Sequence, residues 1–357
     1  MKRLLFLTAC LALALVFALP AQVVAGPKVR WKVGTLAPKG VGYAKQVEDV
    51  LLPILDEATG KGLELKIYWG GVMGDDEDHI KKIRIGQLHA AGLAAQGTVL
   101  ACPEMAVLEL PFLFNDYGEV DHVRDAMLPE FEKFMEAQGF KFVVWIDQDF
   151  DQIYSTKYPM DRLSDFGRSR FVTWFGPLEE AMLTRLGSAP VPINVPEIAA
   201  SVRQGIVDAQ FAPAIWMVGT QMYSVVRFVN PVKMRYSPAT IIVSVQAWNE
   251  LPEEYRKGIW DTRIRCQRLF VADTRRDNEK CLAAMIRYGV KEVHITPQDL
   301  AEIKARAVPL WDEMAGKLYP RALLDRVLAE LATYRSAKAP ENAKPATPET
   351  APGTAGR

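Results

Sequence analysis

The sequence is poor in the side chains that most often bind transition metals, with four cysteines and four histidines among 357 residues. No two cysteines form a Cys-x-x-Cys pair, and the histidines are scattered without the spacing of metal ligands. These patterns give no support to a zinc site, and we expect neither a metal nor a cofactor. We predict buried free thiols at Cys102, Cys266 and Cys281, although a bridge from Cys102 to either of the others stays open.

A net charge is also missing, because 43 Lys and Arg residues balance 43 Asp and Glu residues. The balance gives no indication of a nucleic-acid partner or of an anionic membrane surface. The sequence contains no Gly-x-Ser-x-Gly elbow, Walker loop or Gly-x-Gly-x-x-Gly motif, so we do not predict an enzyme. Asp147, Asp149 and Asp151 could form a carboxylate cluster if one strand continues through them, but a solvated edge is the more common outcome.

Only the amino terminus has a long apolar run, and that run is short for a membrane span. Lys2 and Arg3 precede Leu4 to Leu19, about 16 apolar residues against the ~20 that cross a bilayer. Together with the small residues that end at Ala25, this segment has the three parts of a secretory signal peptide, and we predict cleavage after Ala25. A membrane anchor and a lipoprotein cleavage at Cys10 are the alternatives.

The remaining roughly 330 residues have a length typical of two domains, and their strand and helix patterns alternate. Val29 to Thr35 alternates as a strand, an amphipathic helix follows from about Tyr43, and a second strand begins at Leu63. This order is typical of a parallel α/β sheet. From Pro252 to about Tyr288 the apolar residues recur at spacings of three and four without proline, which predicts one long helix or a kinked pair, about 54 Å if straight.

The segment from Gly187 to Pro213 combines a strand, a short helix and a second strand. Val191 and Ile193 alternate with polar or small neighbours, Pro196 opens the helix, and Gly205 closes it. Residues 206–209 are then the predicted second strand. Residues 210–212 would therefore follow its carboxyl end, which is where small ligands bind in open α/β sheets.

This unit resembles the solute-binding proteins of TRAP (tripartite ATP-independent periplasmic) transporters, of the C4-dicarboxylate-binding type. In that family a helix begun by Glu and closed by Gly-x-Val-Asp-Gly leads into a ligand-lining loop that ends in Pro, and Glu197, Gly205, Val207, Asp208 and Pro213 match. Six further segments follow in the family's order, over roughly residues 29 to 320: Gly34-Thr-Leu-Ala-Pro-Lys-Gly40, Gly70-Gly-Val-Met-Gly74, Leu110-Pro-Phe-Leu-Phe114, Ser155-Thr-Lys-Tyr-Pro159, Leu186-Gly187 and Trp248-Asn-Glu-Leu-Pro252.

The resemblance implies a two-lobed periplasmic binding protein, a clamshell in which each lobe is a βα sheet flanked by helices and a long helix spans both lobes. We expect lobe I in residues 27–148 and about 237–276, and lobe II in residues 149–236 and about 277–335. The signal peptide 1–25 precedes them, and a disordered tail, 337–357, follows. A monomer in the periplasm would deliver a small solute to the small and large TRAP membrane subunits. An ABC-type binding protein and a secreted α/β enzyme are the alternatives.

The predicted ligand-binding residues are aromatic or polar and lie near strand ends: Gln96, Asp151, Arg170, Trp174, Phe175, Gln210, Phe211 and Trp216. In the family, an Arg on one strand holds a ligand carboxylate, and that position is Val172 here. A second family Arg falls on Asp151, and the Asn before the loop proline falls on Ala212.

We therefore predict a small organic acid held by Arg170, which has the strand parity of Val172, with aromatic packing from Trp174 and Phe211. The alternative is a neutral or cationic solute that Asp151 binds.

Replacing both Leu11 and Leu15 by Asp should leave an uncleaved precursor in the cytoplasm, because two charges interrupt the apolar core of the signal peptide. Cell fractionation and the mass of the exported chain measure this effect, and Ala12→Leu with Ala14→Leu is the control that should still be exported. Unchanged export of the Asp variant, or a mature chain that begins at a lipid-modified Cys10, would contradict the prediction.

Overall fold

The structure, a computed structural model, describes residues 28–174 and 176–342. The predicted signal peptide, Phe175 and residues 343–357 lie outside the described residues. Within the described part, the strands are β1 (Val29–Thr35), β2 (Leu63–Tyr68), β3 (Ala90–Leu93), β4 (Phe140–Ser155), β5 (Arg170–Thr173), β6 (Ala189–Pro192), β7 (Ala209–Ala212), β8 (Phe228–Ser244) and β9 (Lys291–Glu292).

The described residues also form helices. They are α1 (Tyr43–Gln46), α2 (Leu52–Thr59), α3 (Asp76–Arg84), α4 (Ala95–Ala101), α5 (Tyr117–Ala137), α6 (Leu163–Gly167), α7 (Pro177–Arg185), α8 (Val195–Arg203), α9 (Ala214–Gly219), α10 (Val245–Asn249), α11 (Glu253–Tyr288), α12 (Pro297–Ala307), α13 (Leu310–Met314) and α14 (Arg321–Asn342). A π-helical turn, Val47–Leu51, joins α1 to α2, and 3₁₀ turns cover Pro103–Glu109 and Met222–Ser224.

Two long strands connect the halves of the sheet, whose order is β2-β1-β3-β8-β4-β7-β5-β6 with β9 beside β8. β4 has 16 residues and β8 has 17, and they pair antiparallel along most of their length. The carboxyl end of β8 pairs with β3, whereas the carboxyl end of β4 pairs with β7. Each of these strands therefore belongs to both halves.

Separate apolar cores lie on either side of this crossing. One buried cluster joins β1 and β2 to α2 and the first half of α11, and another joins β5, β7 and α7 to Met285 near the end of α11. The structure confirms the predicted long helix as a single element of 36 residues. The predicted lobe boundaries near residues 148, 236 and 276 fall inside β4, β8 and α11, which are the three segments that cross between the halves.

Two sequence predictions differ from the structure. β7 begins at Ala209, so residues 206–208 precede the strand and residues 210–212 are inside it. α14 extends to Asn342, and the Lys338 ammonium contacts Asp116 of the same half at 3.0 Å, so residues 337–342 are helical where composition predicted a tail. The three described cysteines are free, with Cys281 half-buried.

The π-helical turn has a local cause in the sequence. Pro53 has no N–H to donate to the carbonyl of Asp49, and its ring crowds that carbonyl. The wider turn Val47–Leu51, directly before α2, relieves the crowding and changes the direction of its side chains.

Gly258→Ala should destabilise the protein, although alanine is the better helix former. A Cβ at Gly258 would lie 2.1 Å from the backbone oxygen of Ala58, so α11 would have to move away from α2. We expect a loss of about 1–3 kcal/mol in the free energy of unfolding, measured by denaturant titration. Ala329→Leu, on an exposed face of α14, is the control, and a gain in stability for Gly258→Ala would contradict the close contact.

Candidate ligand-binding site

The two halves of the molecule touch where α3 faces α8. The backbone N–H of Val195, which begins α8, donates to Asp75 Oδ2 at 3.0 Å. Asp75 also caps α3 in a capping box with Asp78. Its neighbour Asp76 is buried and accepts from the N–H of Ala94 at 2.9 Å. The contact of Asp75 with Val195 therefore closes one side of the cleft between the halves.

Two predicted tryptophans come together in this cleft. The rings of Trp174 and Trp216 are stacked with centroids 6.4 Å apart, and both are buried. Trp174 follows the carboxyl end of β5, and Trp216 lies on α9, directly after β7. Both line a cavity that also reaches Asp147 and Gln148 on β4. The two rings thus form an aromatic wall of the cleft.

A buried arginine on β8 lies opposite Asp151. Arg235 and Asp151 are register partners, and the Nε of Arg235 donates to Asp151 Oδ2 at 3.1 Å. The same guanidinium donates to Ser237 Oγ at 3.1 Å and to Glu109 Oε2 at 3.4 Å. Its Cζ lies 5.9 Å from the ring centroid of Phe211. A guanidinium thus lies directly beside Asp151.

The electrostatic state of this cluster follows from its burial. Burial raises the pKa of Glu109 to about 8, against the opposing effect of Arg235. The raised pKa of Glu109 favours its protonated form near neutral pH, whereas Asp151 makes the shorter ion pair with Arg235. Because Asp151 is paired with Arg235, its carboxylate is poorly placed to bind a cationic solute. The alternative prediction, in which Asp151 binds the solute, required a free carboxylate.

The prediction of a solvated edge for the three aspartates of β4 is wrong, because all three are buried. Asp147 Oδ2 accepts from Arg275 Nε at 2.8 Å, and Asp149 accepts from the hydroxyl of Tyr117. Burial raises the pKa of Asp149 to about 7. The strand continues to Ser155 because β8 pairs with it, so these carboxylates face partners on α5, β8 and α11.

Arg170 lies at the opposite end of β5 from the cleft, which contradicts its predicted role. It begins the strand, about 13 Å along the chain from Trp174. Its Nε and Nη2 lie 3.2 Å from the carboxylate of Asp208, and Nη2 also donates to the carbonyl of Gly205 at 2.6 Å. Lys157 contacts Asp208 as well, at 2.6 Å. These groups form a partly exposed ion-pair cluster that fixes the turn before β7.

The other predicted residues are placed as follows. Gln210 and Phe211 are buried inside β7 because that strand begins three residues later than predicted. Gln210 Nε2 contacts the sulfur of Met217 at 2.9 Å, and Phe211 packs on Phe171 with centroids 5.3 Å apart. Gln96 is a half-buried residue of the first turn of α4, after the carboxyl end of β3.

The residues predicted from the sequence did not include Arg235, Glu109 or Gln148. Arg235 stands between the apolar residues Met234 and Tyr236 inside a strand that was not predicted, and a charged residue in such a pattern is the available signal. Gln148 Oε1 accepts from the N–H of Ala95 at 2.6 Å. Among the described residues, no group of three or more His, Cys, Asp or Glu could hold a metal ion. None of the helices in the described ranges has the length and apolar content needed to span a bilayer.

Residues 38–318 match the family model described as bacterial extracellular solute-binding protein, family 7 (DctP). A curated relative, the C4-dicarboxylate-binding periplasmic protein DctP of Rhodobacter capsulatus, is 26% identical over 314 residues, which covers 86% of this chain and 92% of the relative.

Solved structures with the same fold bind acids. A sugar-acid-binding protein from Advenella mimigardefordensis in complex with galactonate has a TM-score of 0.81 at 17% identity, covering 86% of this chain and 99% of the other. A TRAP periplasmic solute-binding protein from Sulfurospirillum deleyianum with bound succinate has a TM-score of 0.78 at 19% identity, covering 85% and 99%. The two-lobed architecture predicted from the sequence is confirmed.

Glu109→Gln should reduce the pH dependence of stability between about pH 5 and 8. The folded protein holds a proton on Glu109 up to about pH 8, whereas the unfolded chain releases it near pH 4.5, so stability falls as the pH rises through this window. The variant should flatten the slope of the unfolding free energy by about 1 kcal/mol per pH unit. Glu279→Gln, on an exposed position of α11, is the control, and an equal slope in Glu109→Gln and the parent would contradict the assignment.

Proposed function

The chain belongs to family 7 of the bacterial extracellular solute-binding proteins, and we propose that it captures a small organic acid between its two lobes. It is a TRAP-type binding protein rather than an enzyme, and it works with membrane subunits that move the solute. Its relatives set aside the ABC-type and enzyme alternatives. We further propose that it acts as a monomer in the periplasm after removal of the signal peptide.

The observation that supports the cleft as the binding site is the stacked pair Trp174 and Trp216. Two large aromatic rings at the carboxyl ends of β5 and β7 bury extensive apolar area at little cost in conformational entropy. They face the other half of the molecule, where Gln148 and Asp147 add polar groups. Such a wall with few polar groups is typical of small-molecule sites.

We assign the carboxylate of the acid to Arg235. Arg170 is about 13 Å from Trp174 along β5. The guanidinium of Arg235, in contrast, lies 5.9 Å from the ring centroid of Phe211 on the neighbouring strand β7. The pKa of Glu109 supports an exchange of partners, because a protonated side chain competes weakly with an ionised ligand for the Nη1 of Arg235. Glu109→Gln should therefore leave acid binding intact.

Capture then follows from lobe closure. A solute that contacts both halves only in the closed form shifts the equilibrium toward that form by its difference in affinity. The hydrogen bond from the N–H of Val195 to Asp75 joins the two halves and would further stabilise the closed form. The closed surface is what the membrane subunits would recognise, and the solute itself undergoes no chemical change.

A thermal-shift screen over organic acids, polyols and amines should find stabilisation by acids, about 2.7 kcal/mol at 100 times the dissociation constant. The stabilising acid should also reduce the radius of gyration in solution scattering and change the tryptophan emission. Trp174→Phe should weaken binding and remove most of the emission change.

Trp260→Phe is the matched control, because Trp260 is not among the residues that line the cavity. Stabilisation by amines or polyols alone would contradict the acid class. An unchanged radius of gyration with tight binding would contradict closure, and full affinity in Trp174→Phe would remove the aromatic wall from the site.

A further inference from the structure

From the tryptophans the cleft continues into the core of lobe I, and the whole cavity, including its mouth, has a volume of about 150 Å³. One face of β1, β2, β3, β4 and β8 forms its floor, and the π-helical turn, α2 and α11 form its roof. Trp174, Val195 and Trp216 of lobe II stand at its mouth, and Trp31 and Ile259 are among the side chains deeper inside. From Thr35 near the mouth to Trp31 is about 13 Å along β1. Almost all of the wall is apolar.

The exposure of the floor residues identifies this space as internal. Ile241 is on β8 between paired neighbours, Gly92 of β3 and Val144 of β4, so it cannot gain exposure from a sheet edge. Ile241 and Gly92 are nevertheless only half-buried. In the surrounding buried cluster, every member except Phe270 keeps 2–9% of its surface accessible. A sheet face covered by helices ordinarily packs to near-crystalline density, so these side chains border a real cavity.

Two local features of the roof hold the space open. The π-helical turn places Val47 and Leu51 over the cavity, and both are half-buried. The close approach of Gly258 to Ala58 fixes α11 against α2 on the outer side. Because this contact joins α2 to α11, the two helices would have to move together toward the sheet to fill the cavity.

We infer that the solute is amphipathic: its carboxylate binds in the cleft, as proposed above, and an apolar chain or ring enters the cavity of lobe I. An apolar cavity of this volume in another protein stays dry and binds benzene, so the space suffices for a ring or several methylene groups. This inference rests on the proposed function, and it narrows the solute class to acids with an apolar part. Small, fully polar sugar acids would leave the cavity empty.

The test measures the dissociation constants of butanoate, hexanoate, octanoate and decanoate by calorimetry on the mature chain. Affinity should tighten about fourfold for each methylene that enters the cavity. Gly92→Val should flatten this dependence, because its side chain fills the floor while a Cβ at Gly92 meets nothing closer than 3.5 Å. Leu51→Phe fills the same space from the roof and serves if Gly92→Val folds poorly.

Ala329→Leu is the control that adds three carbons on an exposed helix face and should keep the chain-length dependence. Equal affinity for all four acids in the parent, or the same dependence in both filled variants, would overturn the inference while acid capture stands. Hexanol, octanol and decanol separate the two proposals. If the alcohols bind with the chain-length dependence and the acids do not bind, the cavity assignment holds and the acid class fails; if neither series binds, both fail.

Discussion

The antiparallel pairing of β4 with β8 is the constraint on which the rest of the structure depends. These strands of 16 and 17 residues run through both halves, so one hydrogen-bonded ladder supports two cores. The 36-residue helix α11 crosses beside them. Because β4, β8 and α11 all pass between the halves, the relative motion of the lobes must bend continuous elements. This favours a small set of closed and open arrangements over free rotation.

The same crossing concentrates charge in the interior. Asp147, Asp149 and Asp151 follow one another on β4, and each finds a partner from another element: Arg275 on α11, Tyr117 on α5 and Arg235 on β8. Buried ions are costly unless paired, so these contacts tie the crossing segments to one another. Arg235 already has a carboxylate partner before any ligand binds. An acid that binds Arg235 would therefore have to replace such a partner, so selectivity would depend on that replacement more than on the positive charge of Arg235 alone.

The cavity in lobe I adds an apolar region to this polar part of the site. The cleft mouth combines tryptophans with Gln148, whereas the space behind it is lined by aliphatic side chains of the sheet and of α2. Pro53 forces the π-helical turn, and the close approach at Gly258 fixes the helix pair that covers the cavity. Under the proposal of an amphipathic solute, ligand selection depends on how far the apolar part extends into the core of lobe I.

The sequence by itself determined the alternating α/β elements, the long helix and the family, because apolar periodicity and turn residues are local and the motifs occur in order. It also pointed to Trp174 and Trp216. Only the tertiary structure decided that Arg170 pairs with Asp208 at the far end of β5. It also decided that Arg235 lies beside Asp151, because neither segment alone determines the register between strands whose paired residues are 84 positions apart. The cavity likewise depends on helix-to-sheet spacing, to which residues 200 positions apart contribute together.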